Sequence, residues 1–439
     1  MTSLKRLLWA LLGLLVLALA LLAGRIVLEL RDTRETRPTS ATTPASAAHA
    51  PADVIARGEY LARAGNCLAC HTARGGAPGA GGAGIPTPFG TVYASNLTPD
   101  PATGLGRWSA DDFWHALHEG RSRDGRLLYP AFPYPNITHT TRADADAIYA
   151  YLQTLPPVNQ PAPAHTLRFP YNTQIALAAW RTLYFRPAAF EPDPAQPAEW
   201  NRGAYLVQGL GHCNACHASR NVLGATRSAL DLGGGLIPMQ NWYAPALDAA
   251  HEAGVAEWPV ADVVQLLKTG STRQASVIGP MAEVVLHSTQ YLSDADLGAI
   301  ATYLRALPQR ASGPRPGVPA ERNADRQARG QAVYERHCVA CHGARGEGAP
   351  GIYPPLAGNR AVTMEPPANL VRIVLGGGFP PATAGNPRPY GMPPFATVLP
   401  DEDIAAVITY LRSAWGHQAS PITTFEVNRY RTGSTAGGY

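Results

Sequence analysis

Apolar positions crowd the start of this chain and then thin out abruptly. From Leu7 to Gly24 the sequence reads LLWALLGLLVLALALLAG, without a charge. A run of about 18 apolar residues can cross a bilayer core as a helix, whereas the apolar core of an export signal is nearer 7–15. The pattern predicts a membrane-spanning helix within residues 1–30, kept as an anchor, with a cleaved signal as the alternative. Lys5 and Arg6 precede the run. Positive charge stays on the cytoplasmic side, so the rest of the chain is expected beyond the membrane, in the periplasm of a bacterial inner membrane. Residues 31–51, RDTRETRPTSATTPASAAHAP, are polar and rich in Thr, Ala and Pro, which reads as a flexible tether.

After the tether, helical periodicity returns three times in one arrangement. Arg57-Gly58-Glu59-Tyr60-Leu61, Arg202-Gly203-Ala204-Tyr205-Leu206 and Arg329-Gly330-Gln331-Ala332-Val333-Tyr334 each predict a short opening helix whose Gly allows another helix close. Ala143 to Leu152, Leu292 to Leu304 and Leu399 to Leu411 each predict a closing helix. All three crowd acidic residues into the first turn, where the helix dipole favours them. They end in Tyr151-Leu152, Tyr303-Leu304 and Tyr410-Leu411, read as core packing. The repeats set three domains of ordinary size at 52–157, 198–309 and 325–416. Between them lie a connection at 158–197, rich in aromatics and expected to pack within the chain, and a linker at 310–324. A tail at 417–439 follows. No stretch is left for a separate catalytic domain.

Composition adds little until the cysteines. The 439 residues carry a net charge of +4, with 43 Gly and 41 Pro, which implies many turns. No basic run interleaves with aromatics, so nucleic acid is excluded as a partner. The six cysteines fall into three C-x-x-C-H boxes: Cys67, Cys70 and His71; Cys213, Cys216 and His217; Cys338, Cys341 and His342. Each box reads as a covalent haem c site. Both thiols add to the haem vinyl groups, and the His supplies one axial nitrogen to iron. Zinc knuckles or disulfides would leave the three histidines unexplained. An opening and a closing helix with haem between them is the cytochrome c fold. The chain is thus expected to be mainly α: three tandem cytochrome c domains, three haem c groups and an N-terminal membrane helix.

The second axial ligand of such an iron is usually Met or His, on the loop before the closing helix. Met392 precedes Tyr410 by 18 residues, and Met281 precedes Tyr303 by 22. Both fit. In the first domain Phe132 stands in that place, 19 residues before Tyr151, and no Met occurs between Met1 and Met239. His139, further along the same loop, is the leading substitute. His115 or His118, an iron left open, and Met239 from a neighbouring domain remain as alternatives. Met239 and Met364 are otherwise read as packing residues.

Longer motifs carry a family resemblance. Arg126-Leu-Leu-Tyr-Pro-Ala-Phe-Pro-Tyr134, Glu199 to Leu206, Gly211 to His217, Gly279-Pro-Met-Ala-Glu-Val-Val285 and Trp415-Gly416 resemble the three-haem cytochrome c subunits of bacterial membrane-bound dehydrogenases. That family serves quinoprotein alcohol dehydrogenases, flavin-dependent gluconate and related sugar dehydrogenases, and molybdenum aldehyde dehydrogenases. Phe132 departs from the Met of the alcohol branch and is more similar to the molybdenum branch. The resemblance implies an electron carrier rather than an enzyme. It would take electrons from a flavin, quinoprotein or molybdenum catalytic subunit and pass them to ubiquinone or an oxidase. Trp242 and Trp415 also resemble family positions and are expected to pack around haem.

Overall fold

The computed structural model describes residues 2–31, 50–228, 230–310 and 323–432. The expected tether and most of the 310–324 linker lie outside them. The N-terminal run forms α1 (Thr2–Arg31). Its stretch Leu4–Leu30, of mean hydropathy 2.6, is long and apolar enough to cross a membrane.

The first module opens with α2 (Ala52–Ala64) and α3 (Cys67–Cys70). A hairpin of β1 (Gly84–Thr87) and β2 (Gly90–Tyr93) follows, with Gly84 opposite Tyr93. Then come α4 (Ala110–Glu119), the single turn α5 (Tyr134–Ile137) and the closing helix α6 (Arg142–Leu152). Ser109 and Asp112 box the start of α4, and Gly120, at φ 62°, ends it. The connection adds α7 (Gln174–Tyr184). The second module repeats the order with α8 (Ala198–Gln208), α9 (Asn214–His217), β3 (Gly235–Leu236) and β4 (Tyr243–Ala244), then α10 (Val260–Thr269), α11 (Pro280–His287) and α12 (Asp294–Arg305). The third has α13 (Ala324–His337), α14 (Val339–His342), α15 (Arg360–Thr363), α16 (Ala368–Gly376) and α17 (Asp401–Ser413), and ends in α18 (Thr424–Thr432). The protein is mainly helical, as its periodicity predicts.

One helix crossing is built three times from the same parts. A Cβ on Gly58, Gly203 or Gly330 would overlap the carbonyl oxygen of Ala147, Ala299 or Ala406, and would fall 2.8–2.9 Å from the Cβ of Tyr151, Tyr303 or Tyr410. Those tyrosines are therefore structural. The residue before each glycine adds an ion pair that the sequence did not announce. Arg57 Nε donates to Asp144 at 2.9 Å, Arg202 Nε to Asp296 at 2.7 Å and Arg329 Nε to Asp403 at 2.5 Å. Each aspartate stands three residues after the residue that caps its closing helix, Thr141, Ser293 or Pro400.

Two compact units result. Among the described residues, the first comprises residues up to 62, 67–191 and 222–225; the second comprises 63–66, 192–221 and the chain from 226 onward. The second unit holds both later modules apart from residues 222–225. Tyr243 N–H donates to Asn369 Oδ1 at 2.9 Å, and Asn369 Nδ2 returns a bond to the Tyr243 carbonyl at 2.7 Å. Arg360 donates to the Gly254 carbonyl at 2.9 Å and stacks over Trp258. In the first unit part of the aromatic connection packs down: Phe185 is buried, whereas Phe169 stays exposed. Thr166 N–H bonds the Thr91 carbonyl, Arg168 N–H bonds that of Phe89, and Trp180 Nε1 bonds that of Leu223.

The C-terminal segment departs from its expected role as a tail. Ile422 and Val427 are buried in the core of the third module. Thr423 and Glu426 box the start of α18, and Arg431 Nε reaches Asp401 at 2.6 Å. Arg412 is wholly buried in that module and donates to the carbonyls of Val362, Met364 and Ser420.

Candidate haem sites

In each module the two cysteines and the following histidine occupy one helical turn. All six cysteines are free of disulfides. The decisive geometry is at the histidines. His71 Nδ1 lies 2.7 Å from the Ser95 carbonyl oxygen, His217 Nδ1 2.7 Å from that of Pro245, and His342 Nδ1 3.0 Å from that of Pro354. A carbonyl oxygen can only accept, so each Nδ1 carries the proton and each Nε2 keeps its lone pair. That is the tautomer an iron ligand needs, held by a partner outside the coordination sphere. Burial lowers the pKa of all three imidazoles, against a smaller upward pull from the carbonyl bond, and so holds them neutral. Thiol pairs, tautomer and charge state all fit covalent haem c.

The distal loops share a scaffold as well. Gly120, Gly270 and Gly377 end α4, α10 and α16 in left-handed or related positive-φ conformations. The chain then folds back on itself through the bridges Arg121 to Leu127, Ser271 to Ser276 and Gly378 to Met392. In the first two modules Leu128 N–H bonds the Gly120 carbonyl and Val277 N–H bonds that of Gly270, both at 2.8 Å. Four residues after Leu128 comes Phe132; four after Val277 comes Met281. The backbone register therefore puts Phe132 where the second module has Met281.

Met281 packs beside Val277, Ala282 and Val285, and the ring of Trp242 blocks the space above Gly279, two residues earlier. Met392 sits against the third core near Phe395. Trp415 stacks edge-on with Tyr334 and Tyr410 at 5.3 and 5.9 Å. Met364 is buried, as its packing role requires. Met239 is not: it is exposed, on a turn with φ 62°, so its expected packing role falls away.

His139 stands between α5 and α6, where the connection covers it: Phe190 N–H bonds its carbonyl at 3.2 Å. Its Nδ1 is buried and, among the described residues, has no hydrogen-bond partner. Burial lowers its pKa, with a backbone bond at Ala188 pulling the other way and His118 adding a smaller downward push. The corresponding places before α12 and α17, Tyr291 and Val398, are exposed. His115 Nδ1 is held by Glu119 at 3.0 Å and His118 Nδ1 by the Thr138 carbonyl at 2.9 Å. The acceptors Ser95, Pro245 and Pro354 escaped sequence reasoning because a backbone carbonyl has no residue signature. In hindsight each is followed two residues on by a leucine, Leu97, Leu247 and Leu356.

The fold and these sites define a c-type cytochrome. The cytochrome c family model matches residues 55–156 and 327–415. A nicotinate dehydrogenase chain of Pseudomonas putida is 42% identical over 369 residues, 82% of this chain and 30% of that protein. The cytochrome c subunit of alcohol dehydrogenase (quinone) from Gluconobacter oxydans is 37% identical over 89% of this chain and 86% of its own length. The gluconate 2-dehydrogenase cytochrome c subunit of Pantoea cypripedii is 36% identical over 84% and 88%. The chain belongs to the family of dehydrogenase cytochrome c subunits, electron carriers rather than catalytic chains. Covalent haem c comes with that membership. The chain spans about a third of the nicotinate dehydrogenase relative and most of the other two.

Proposed function

We propose that this protein carries three covalent haem c groups. They move electrons from a catalytic dehydrogenase subunit that oxidises an alcohol, a sugar acid or an aldehyde to ubiquinone or a terminal oxidase. The observation that carries the reading is the threefold Nδ1-to-carbonyl arrangement at His71, His217 and His342, each beside its own cysteine pair. Cys67 and Cys70, Cys213 and Cys216, and Cys338 and Cys341 hold the three groups. When bound, haem supplies a one-electron iron couple; the protein supplies ligands, burial and spacing.

Met281 and Met392 are the second ligands in the later modules. His139 is the second ligand in the first, where Phe132 stands at the methionine's place and a buried imidazole nitrogen lacks a hydrogen-bond partner among the described residues. α1 anchors the chain in the inner membrane with the three modules, at 52–157, 198–309 and 325–416, in the periplasm. A flavin, quinoprotein or molybdenum enzyme is the class of catalytic partner.

Two measurements test this. The intact mass of protein taken from the membrane should exceed that of the polypeptide by three haems; a saturated protein with two sinks the assignment. The protein purified in mild detergent should bring with it a second chain bearing a flavin, quinone or molybdenum cofactor. Recovery of a fully active cytochrome without one would make it a stand-alone carrier.

A further inference from the structure

Helix α7 is inside out. Its polar side chains point into the protein. Gln174 Oε1 accepts from Leu127 N–H at 2.8 Å, Thr182 bonds the Ala178 carbonyl, and Arg181, only 2% exposed, pairs with Glu29 at 3.1 Å. Its outer face is apolar: Ile175 is 64% exposed and Leu183 54%, with Ala179 between them on the same helical stripe. Tyr184 continues that face, and Phe169 in the preceding loop is 81% exposed. No acidic residue stands between Arg168 and Arg186, two exposed cations that bracket the segment. A surface helix of a water-soluble fold shows the reverse pattern.

The position of α7 says what covers this face. The helix packs against the last turns of α1, where Ile26 and Leu30 meet Leu127, Leu177 and Ala178. Glu29 clasps both Arg181 and Arg121, the latter at 3.0 Å. The charge-free run of α1 ends at Gly24. At about 1.5 Å of rise per residue, Ile26 to Leu30 stand about 3–9 Å past that run. The headgroup layer on each side of a bilayer is about 5–7 Å thick. We infer that the outer face of α7, with Phe169, rests in the headgroup layer of the bilayer that α1 spans, its aromatic and aliphatic side chains at the acyl boundary and Arg168 and Arg186 beside anionic lipid. Tyrosine rings favour that boundary, and an apolar face flanked by cations is the usual make-up of a helix lying in it. The inference rests on α1 being a retained anchor.

The test uses the full-length holoprotein in nanodiscs of phosphatidylethanolamine and phosphatidylglycerol, doped with a lipid whose acyl chain carries a diazirine. After photolysis, peptide mass spectrometry should find adducts on α1 and on residues 169–184. Leu183→Glu, and independently Ile175→Glu, should cut labelling of 169–184 several-fold while leaving labelling of α1 and the haem spectrum unchanged. Labelled α1 with an unlabelled 169–184 segment overturns the inference and leaves the anchor standing. An unlabelled α1 removes the anchor reading and this one with it. Labelling of 169–184 that vanishes when the co-purified dehydrogenase is bound gives the face to that protein instead, and overturns the lipid assignment.

Discussion

On the proposed reading, Phe132 and His139 exchange one kind of axial ligand for another at the first iron. The register of the distal loop is the same in the first two modules, so Phe132 in the place of a methionine leaves the fold unchanged. Replacement of methionine by histidine lowers a haem potential, so the first haem should be the lowest of the three. Oxidised wild-type protein should show the near-infrared thioether-to-iron band for two haems only, with all three low-spin. His139→Ala should turn one haem high-spin and leave the other two as they were. A high-spin haem already present in wild type would leave that iron open, and an unchanged spectrum in the variant would move the ligand elsewhere. The sequence was explicit about attachment because thioether chemistry demands named side chains at fixed spacing. It was silent on Ser95, Pro245 and Pro354, which act through carbonyls that any residue has, and on Arg57, Arg202 and Arg329, whose aspartate partners lie far along the chain.

At the scale of elements, the crossing of opening and closing helices is the unit of construction. Glycine is required there because the carbonyl of an alanine on the other helix fills the space of its missing side chain. Gly203→Ala must push α8 and α12 apart, and overpacking of this kind costs about 1–3 kcal/mol. Arg202→Ala removes a partly buried ion pair and should cost about 1 kcal/mol. Thermal melts of the two variants, followed by loss of the second module's haem band, should rank them in that order; the reverse order would mean that charge, not fit, holds the crossing. The opening and closing helices were legible because apolar period, acidic first turn and terminal aromatic agreed. α18 was missed although Thr423-Thr-Phe-Glu426 carries a capping-box signature, because polar residues around Val427 hide its single buried position.

At the scale of the molecule, three repeats in sequence become two units in space. Repetition predicted the modules, but nothing in it could show that the second and third share a body. Their union depends on partners such as Asn369 with the Tyr243 backbone, and Arg360 with Trp258, that belong to no repeat. Hydrogen exchange should therefore show segments 198–305 and 324–432 opening together at one denaturant concentration. Separate openings, one per module, would mean that those contacts do not couple them. Cooperative units of this kind often follow supersecondary boundaries, and here the boundary is expected to enclose two modules.

The Glu29 clasp has a kinetic consequence. A domain hung from a membrane by a long linker explores a volume and must find both position and orientation before it can meet a partner. With α1 kept as the proposed anchor, a first module clasped to it through Glu29 would have neither freedom, because α1 would set its height above the lipid. Encounter with a membrane-borne redox partner would then be a search in two dimensions with most of the orientational cost already removed, the term that ordinarily holds protein association far below the diffusion limit.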